Sequence, residues 1–427
     1  MTLTHPDWMR TAAVYQLNTR QFTPEGTFRA AMEHLPRVRD LGVAVVWLMP
    51  VHPIGRVGRK GTLGSPYAVR DHYGVNGELG TPEDLRAFVD RAHDLGLKVI
   101  LDWVANHVAP DHVISEAHPE WFVRDPSGEP RTTPWFDWTD VVDLDYARPG
   151  LWRYMTDAMA WWVREMDVDG FRCDVAGFVP MDLWSQVRRE LDAIKPVFLL
   201  AEWEARDLHA AFDASYAWSW YDAVHRVARE GADLERLREY YAGNEKAWPD
   251  GAMRLTFVSN HDKNAWEGTQ FEQFGDALEA AIVLSVVGDG LPLVYNGQEA
   301  GNPRRLAFFD KDVIEWREHR VGDLYRRLLA LKGQVSALAN GAWGAPMLRV
   351  PNDAEAQVLS FLRENERDGV FAVFNFSDAP RDVVFEDSAH HGSWQDAFSG
   401  APRDLDGDSR LSLDAWGWRV MMREVAA

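Results

Sequence analysis

The sequence predicts a (β/α)8 barrel that carries a short insert after its third strand and ends in an antiparallel β-domain. Three observations predict it. Eight strand-length apolar runs alternate with helix-length amphipathic segments over most of the chain, which is the pattern of βα units around a parallel sheet. One long segment between the third and fourth runs breaks that rhythm. From about Gly341 onward, short alternating runs follow one another with turn residues between them, the pattern of antiparallel strands.

The runs are taken in order. Ala12–Leu17 is the first and Val43–Met49 the second. A helix at about Pro82–Leu95 follows, with Thr81 as N-cap and Pro82 in the first turn, where a missing N–H costs nothing. Leu97–Trp103 is the third run. The helix Leu151–Glu165 precedes the fourth, Gly170–Val175. Val197–Glu202 is the fifth, Ser215–Ser219 a weak sixth, Leu255–Asn260 the seventh and Leu291–Tyr295 the eighth. Between them, Val108 to Asp145 is rich in Pro, Trp, Asp and Thr and has no helical period. Inserts of that length are more often functional excursions than plain connections. Runs such as Val358-Leu359-Ser360-Phe361 and Val370-Phe371-Ala372-Val373-Phe374 lie in the last part. The expected organisation is a barrel over 1–107 and 146–340, an insert over 108–145 and a C-terminal β-sandwich over 341–427.

At 427 residues and 46% hydrophobic content, the chain can bury a large core and exceeds one small domain. A single cysteine, Cys173, excludes a disulfide framework and a cysteine-based zinc site. The formal charge of −21 repels phosphate backbones, so nucleic acid is excluded as a partner, whereas a neutral substrate is compatible. No apolar run is long enough to span a bilayer. The N-terminus has neither the basic nor the apolar part of a secretory leader. The expectation is a soluble cytoplasmic protein, or a secreted one if a leader has been removed; no oligomeric state is read from the sequence. Twenty tryptophans are many for this length. Most tryptophans fill cores, but their faces also stack on sugar rings.

In such a barrel the active site lies at the C-terminal ends of the strands. Four of the runs end there in ionisable groups: Leu101-Asp102-Trp103-Val104-Ala105-Asn106-His107, Gly170-Phe171-Arg172-Cys173-Asp174, Leu200-Ala201-Glu202-Trp203 and Val258-Ser259-Asn260-His261-Asp262. One such terminus could be a structural ion pair. Four on one rim point to a convergent acidic pocket, because buried charge is costly unless it is satisfied there. Carboxylates with a few cations suit glycosidic cleavage, which needs one protonated carboxylic acid and one ionised carboxylate. Arg172 and Asp174 share a strand face and are adjacent on it, so the guanidinium is expected to hold Asp174 ionised. Glu202, between an apolar run and Trp203, is expected to hold a proton. Asp262, His107 and His261 are candidate partners of sugar hydroxyls.

These segments resemble the conserved regions of the α-amylase family of glycoside hydrolases. Asp102–His107 resembles its first region, Gly170–Asp174 the second, Ala201-Glu202-Trp203 the third and Ser259–Asp262 the fourth, in the family's order. Val141–Asp145 resembles a further region, and Ser65–Asp71 the loop after strand two. The resemblance covers about residues 10 to 335, and the terminal β-domain fits the family's usual C-terminal domain. It implies Asp174 as nucleophile, Glu202 as general acid/base and Asp262 as transition-state stabiliser. It implies Arg172, His107 and His261 around the sugar being cleaved, with Tyr67 stacked under it. The implied activity is retaining hydrolysis of α-1,4-glucosidic bonds in starch-type glucans or maltooligosaccharides, with no organic cofactor. The same acids would serve a 4-α-glucanotransferase or a cyclomaltodextrinase/neopullulanase-type enzyme. A non-catalytic relative would have lost one of the three carboxylates, and all three are present.

The chain departs from the pattern at three positions. Ser65 stands where many members have histidine, and Gly177 and Phe178 stand where many have a lysine–histidine pair. Asn106 and Asp143 match two of the family's calcium ligands. A full calcium shell has about six to eight oxygens, and other members fill this place with a hydrogen-bond network or a lysine, so both readings stand.

Overall fold

The computed structural model describes residues 3–425. Eight parallel strands close into a barrel: β1 (Val14–Leu17), β2 (Val45–Leu48), β3 (Lys98–Val104), β4 (Gly170–Asp174), β5 (Phe198–Ala201), β6 (Ala214–Tyr216), β7 (Met253–Thr256) and β8 (Leu291–Tyr295). Each strand pairs with its sequence neighbours, and β8 returns to β1 with Val14 opposite Leu293. The barrel interior and the helices around it form one continuous apolar core, in which Trp47, Trp103, Trp162, Trp184 and Trp220 are fully buried.

The expected elements are present, with two shifts. The weak sixth strand ends at Tyr216, and Trp218 already opens the helix Trp218–Glu230. The seventh strand lies earlier than expected, at Met253–Thr256. Its apolar continuation Phe257-Val258 leaves the ladder. Asn260 then takes the N–H of Lys263 on its side chain and that of Asn264 on its carbonyl. That turn places His261 and Asp262 at the rim rather than in the sheet. The helix Pro82–Asp94 starts as expected, with Thr81 and Asp84 capping each other's backbone N–H groups.

The insert between β3 and the helix Pro149–Glu165 is held by a two-residue ladder, His107–Val108 against Val142–Asp143, and has one short 3-10 turn at Pro119–Trp121. The C-terminal part is a six-stranded antiparallel sheet faced by a two-stranded one, Arg381–Val384 with Arg410–Leu413. Its central strands are apolar on both faces because both are covered. Leu359, Phe361, Val370, Ala372 and Phe374 join the barrel core, while Val358, Leu362, Phe371 and Val373 form a second core with Trp394 and Leu411. Arg363 fastens the two parts. Its guanidinium, 1% exposed, donates to the carbonyls of Gly288, Ala339 and Ala345. Among the described residues no helix is long and apolar enough to cross a membrane.

Candidate active site

The strand ends converge on a cleft of about 450 Å³. Its floor is built around one guanidinium. Arg172 on β4 lies in register with Asp102 on β3, and both side chains are fully buried inside the barrel. Arg172 Nη1 donates to Asp102 Oδ1 at 2.8 Å and to Asp174 Oδ1 at 2.9 Å. Its Nη2 lies 2.5 Å from Glu202 Oε1. A single planar fork therefore touches three carboxylates and fixes the spacing of Asp174 and Glu202. Burial opposes the charge of Arg172, but Asp102 and Glu202 hold it firmly cationic.

Burial also pushes the carboxyl groups above their ordinary range. Glu202 is raised by desolvation and by the nearby negative charges of Asp174 and Asp262, against the pull of Arg172. Asp174 is raised by desolvation and by Asp102, against Arg172. Arg172 thus does not by itself keep Asp174 ionised, as the strand spacing suggested, because desolvation outweighs it. Glu202 Oε2 accepts the N–H of Val175 at 2.8 Å, and Val175 adopts a left-handed conformation (φ 36°) that a β-branched residue rarely visits.

A hydrogen-bonded chain crosses the floor from β1. The Gln16 side-chain carbonyl accepts the backbone N–H of His261, so its amide N–H₂ faces His261 Nδ1 at 2.7 Å. His261 Nε2 then donates to the Tyr67 hydroxyl (2.7 Å), which donates to Asp102 Oδ2 (3.0 Å). Trp47 Nε1 donates to the same oxygen. Burial lowers His261 to about 4, in keeping with this neutral tautomer. His107 is likewise lowered to about 4 by burial. Its Nδ1 accepts from Asn106, leaving Nε2 toward Asp174 Oδ2 at 3.8 Å. Asp262 is the exposed member, with its side chain 37% accessible and Oδ2 3.4 Å from His261 Nε2. The Tyr67 ring stacks with Phe308 and lines the cleft.

All seven residues expected to act on substrate thus meet at one site. Asn106 and Asp143, the two matches to calcium ligands, each have a partner within the chain. The Asn106 amide is turned to His107. Asp143 accepts from Thr133 Oγ1 on one oxygen and from Arg131 Nη2 on the other, at 2.5 and 3.0 Å. A cation already neutralises this carboxylate, and no group of three or more His, Cys, Asp or Glu side chains among the described residues is arranged to hold a metal. Of the two readings, this pairing is the hydrogen-bond network.

Sequence reasoning gave no role to Asp102, Gln16 or Lys60. The first two were legible as polar residues inside apolar strand runs, whose burial needs a partner. Lys60 had no such signal. The departure at Gly177 also has a structural reason. A Cβ there would lie 2.3 Å from the Trp203 ring, so the indole occupies the space a lysine would need. Trp203 packs on Phe178, which meets Trp135 and Phe136 of the insert.

The family model of the α-amylase catalytic domain matches residues 11–141 and 134–323, and that of the α-amylase C-terminal all-beta domain matches 350–417. The chain belongs to the α-amylase family. It is 27% identical to the alpha-amylase MalA of Haloarcula japonica, over 96% of this chain and 62% of that protein. It is 30% identical to the alpha-1,4-glucan:maltose-1-phosphate maltosyltransferase of Pseudomonas aeruginosa, over 76% of this chain and 54% of that protein. The chain therefore spans less than two thirds of these relatives. Among solved structures it is similar to the noncanonic maltogenic alpha-amylase AmyB of Thermotoga neapolitana, with 30% identity and a TM-score of 0.88 over 97% of this chain and 99% of that one.

Proposed function

We propose that the protein is a retaining α-glycosidase acting on α-1,4-glucosidic bonds of starch-type glucans or maltooligosaccharides. The observation that carries this reading is the shared guanidinium of Arg172, which contacts Asp174 and Glu202 together on the floor of the cleft. Two carboxyl groups held that closely suit retention, for which about 5–5.5 Å is expected, and leave little room for the water an inverting enzyme needs.

Asp174 is the nucleophile. Its oxygen bonds to the anomeric carbon while Glu202 gives its proton to the departing glucosidic oxygen, yielding a covalent glycosyl-aspartate. Glu202, now ionised, takes a proton from water, and the resulting hydroxide oxygen displaces Asp174 from the anomeric carbon. Asp262 stabilises the oxocarbenium-like centre. Neutral His107 donates Nε2–H to a sugar hydroxyl, while His261 gives its Nε2–H to the Tyr67 hydroxyl and holds that ring under the sugar. The barrel over 1–107 and 146–340 supplies these groups, the insert over 108–145 forms one wall, and the β-sandwich over 341–427 packs against the barrel. Calcium has no part in this account: the Arg131–Asp143 pair ties the insert to the ladder below it.

A transferase of the same mechanism is the second reading. It is favoured by the aromatic wall of Phe178 and Trp203 on the leaving-group side, which offers an acceptor sugar a stacking surface. Asp174→Asn and Glu202→Gln should each abolish turnover of maltoheptaose with unfolding temperature preserved. Activity at the wild-type level in Asp174→Asn would contradict the mechanism. Products longer than the input would assign the transferase.

A further inference from the structure

The cleft is not equally bounded at its two ends. Glu202 protonates the oxygen that leaves, so the departing part of the glucan lies on the Glu202 side, among Val175, Phe178 and Trp203. The retained part, which holds the non-reducing end, must run the other way, past Tyr67 toward Phe308, Phe309 and Lys60. On that side the loop 55–64, between β2 and Tyr67, crosses the cleft and is fastened at both margins.

Toward the loop after β8, Thr62 donates its N–H and hydroxyl to Asp310 Oδ1 at 2.7 and 2.5 Å. Leu63 and Gly64 both donate their N–H to the Phe309 carbonyl at 3.1 Å. Toward the insert, Arg56 donates its N–H to Asp111 at 3.1 Å. The Lys60 ammonium donates to the Asp137 carbonyl and pairs with Asp140 at 3.6 Å and Asp137 at 3.8 Å. Lys60 also lies over the Phe309 ring, 5.7 Å from its centroid. Two glycines let the loop lie flat against both margins. Gly58 (φ +69°) faces the Thr139 carbonyl, and a Cβ on Gly61 (φ +61°) would lie 2.6 Å from Phe309 Cβ. The wall is thus continuous from Asp140 of the insert through Lys60 to Phe309.

We infer that residues 55–64 form a strap closing the glycone end of the cleft, latched by Lys60, so that the protein releases short units from non-reducing chain ends. The inference rests on the roles assigned above to Asp174 and Glu202. Lys60 is the specificity-determining residue, because it is the strap side chain that lines the cleft, and its ammonium reaches Asp137 and Asp140 of the insert and the Phe309 ring together.

The test uses maltoheptaose labelled at its reducing end, sampled at the earliest time points. The expected first labelled products are shorter by only about one to three glucosyl units, as a closed pocket of this size allows. In Lys60→Gly, and in a variant lacking residues 58–61, the share of longer unlabelled fragments should rise several-fold. A wild-type pattern with labelled fragments of every length from the start would overturn the strap while leaving the glycosidase intact. So would active strap variants with an unchanged product distribution. If the variants do not fold, the wild-type pattern decides. Absence of any cleavage would instead overturn the glycosidase reading, and the strap with it.

Discussion

Replacing Asp102 by asparagine tests how the floor of the site sets its ionisation. Asp102 does not line the cleft, yet it shares Arg172 Nη1 with Asp174 at 2.8 and 2.9 Å. Burial raises its own carboxyl to about 6, so above that pH it adds a negative charge beside Asp174. Oxygens that meet on one nitrogen lie about 5 Å apart, and at an effective dielectric of about 20 two such charges repel by about 3 kcal/mol, or about two pH units. Sharing of Arg172 reduces this, so a shift of about one unit is expected. The sign is fixed: with Asp102 neutral, Asp174 ionises more easily and the acid limb of kcat/KM moves to lower pH. The amide also confronts the donors Trp47 Nε1 and Tyr67 OH, which costs stability by about 1–3 kcal/mol. The assay is a pH profile of kcat/KM on maltotriose, with thermal unfolding in parallel. An acid limb that stays in place or moves upward would refute the electrostatic reasoning.

Further outcomes follow from other parts of the molecule. Trp203→Ala removes the indole from Gly177 and should lower kcat/KM by about 1–2 kcal/mol, more on longer substrates, and reduce any transfer products; equal loss on all substrates would speak against a leaving-side platform. Thermal stability should be the same in chelator and in added calcium, since Arg131 already balances Asp143; a clear rise with calcium would contradict that. His52, His72 and His112 are buried together, and burial lowers them to about 3, 4 and 2. Their folded values are depressed, so their contribution is complete above about pH 6.5 and is lost as the pH falls through the range down to the folded values. Together they should cost up to about 4 kcal/mol per pH unit near pH 5 and less toward 6.5 and 4, and His72→Gln should flatten that slope by about a third in unfolding experiments. An unchanged slope would mean that other groups govern acid unfolding.

The barrel was legible because strand-length apolar runs alternate with helix-length amphipathic segments, and it is that alternation, together with the lengths of the runs, that assigns them as strands. The shifts at β6 and β7 have one cause. Where apolar residues continue past the last ladder bond, as Phe257-Val258 and Trp218 do, pattern cannot tell a strand from a buried loop or helix start. Six of the seven expected site residues were legible because they stand at or near the ends of those runs, and Tyr67, in the loop after β2, was legible through the family resemblance. Their ionisation was less so: spacing places Arg172 beside Asp174, but only the enclosed barrel shows that desolvation outweighs the guanidinium. The partners of Asp143 were not legible for a related reason. Arg131 and Thr133 lie within a segment with no periodicity, so nothing along the chain announced the pairing. The strap was invisible because Lys60 meets Asp137, Asp140 and Phe309 only across three loops.

The central claim is that Asp174 attacks the anomeric carbon. A glucosyl fluoride substituted with a second fluorine on the ring slows both steps of a retaining enzyme, and a peptide digest then locates the trapped sugar by mass. A glycosyl ester on Asp174, with an α-configured product when the trap turns over, is the predicted result. A sugar on any other residue, or a β-configured first product, would contradict the account.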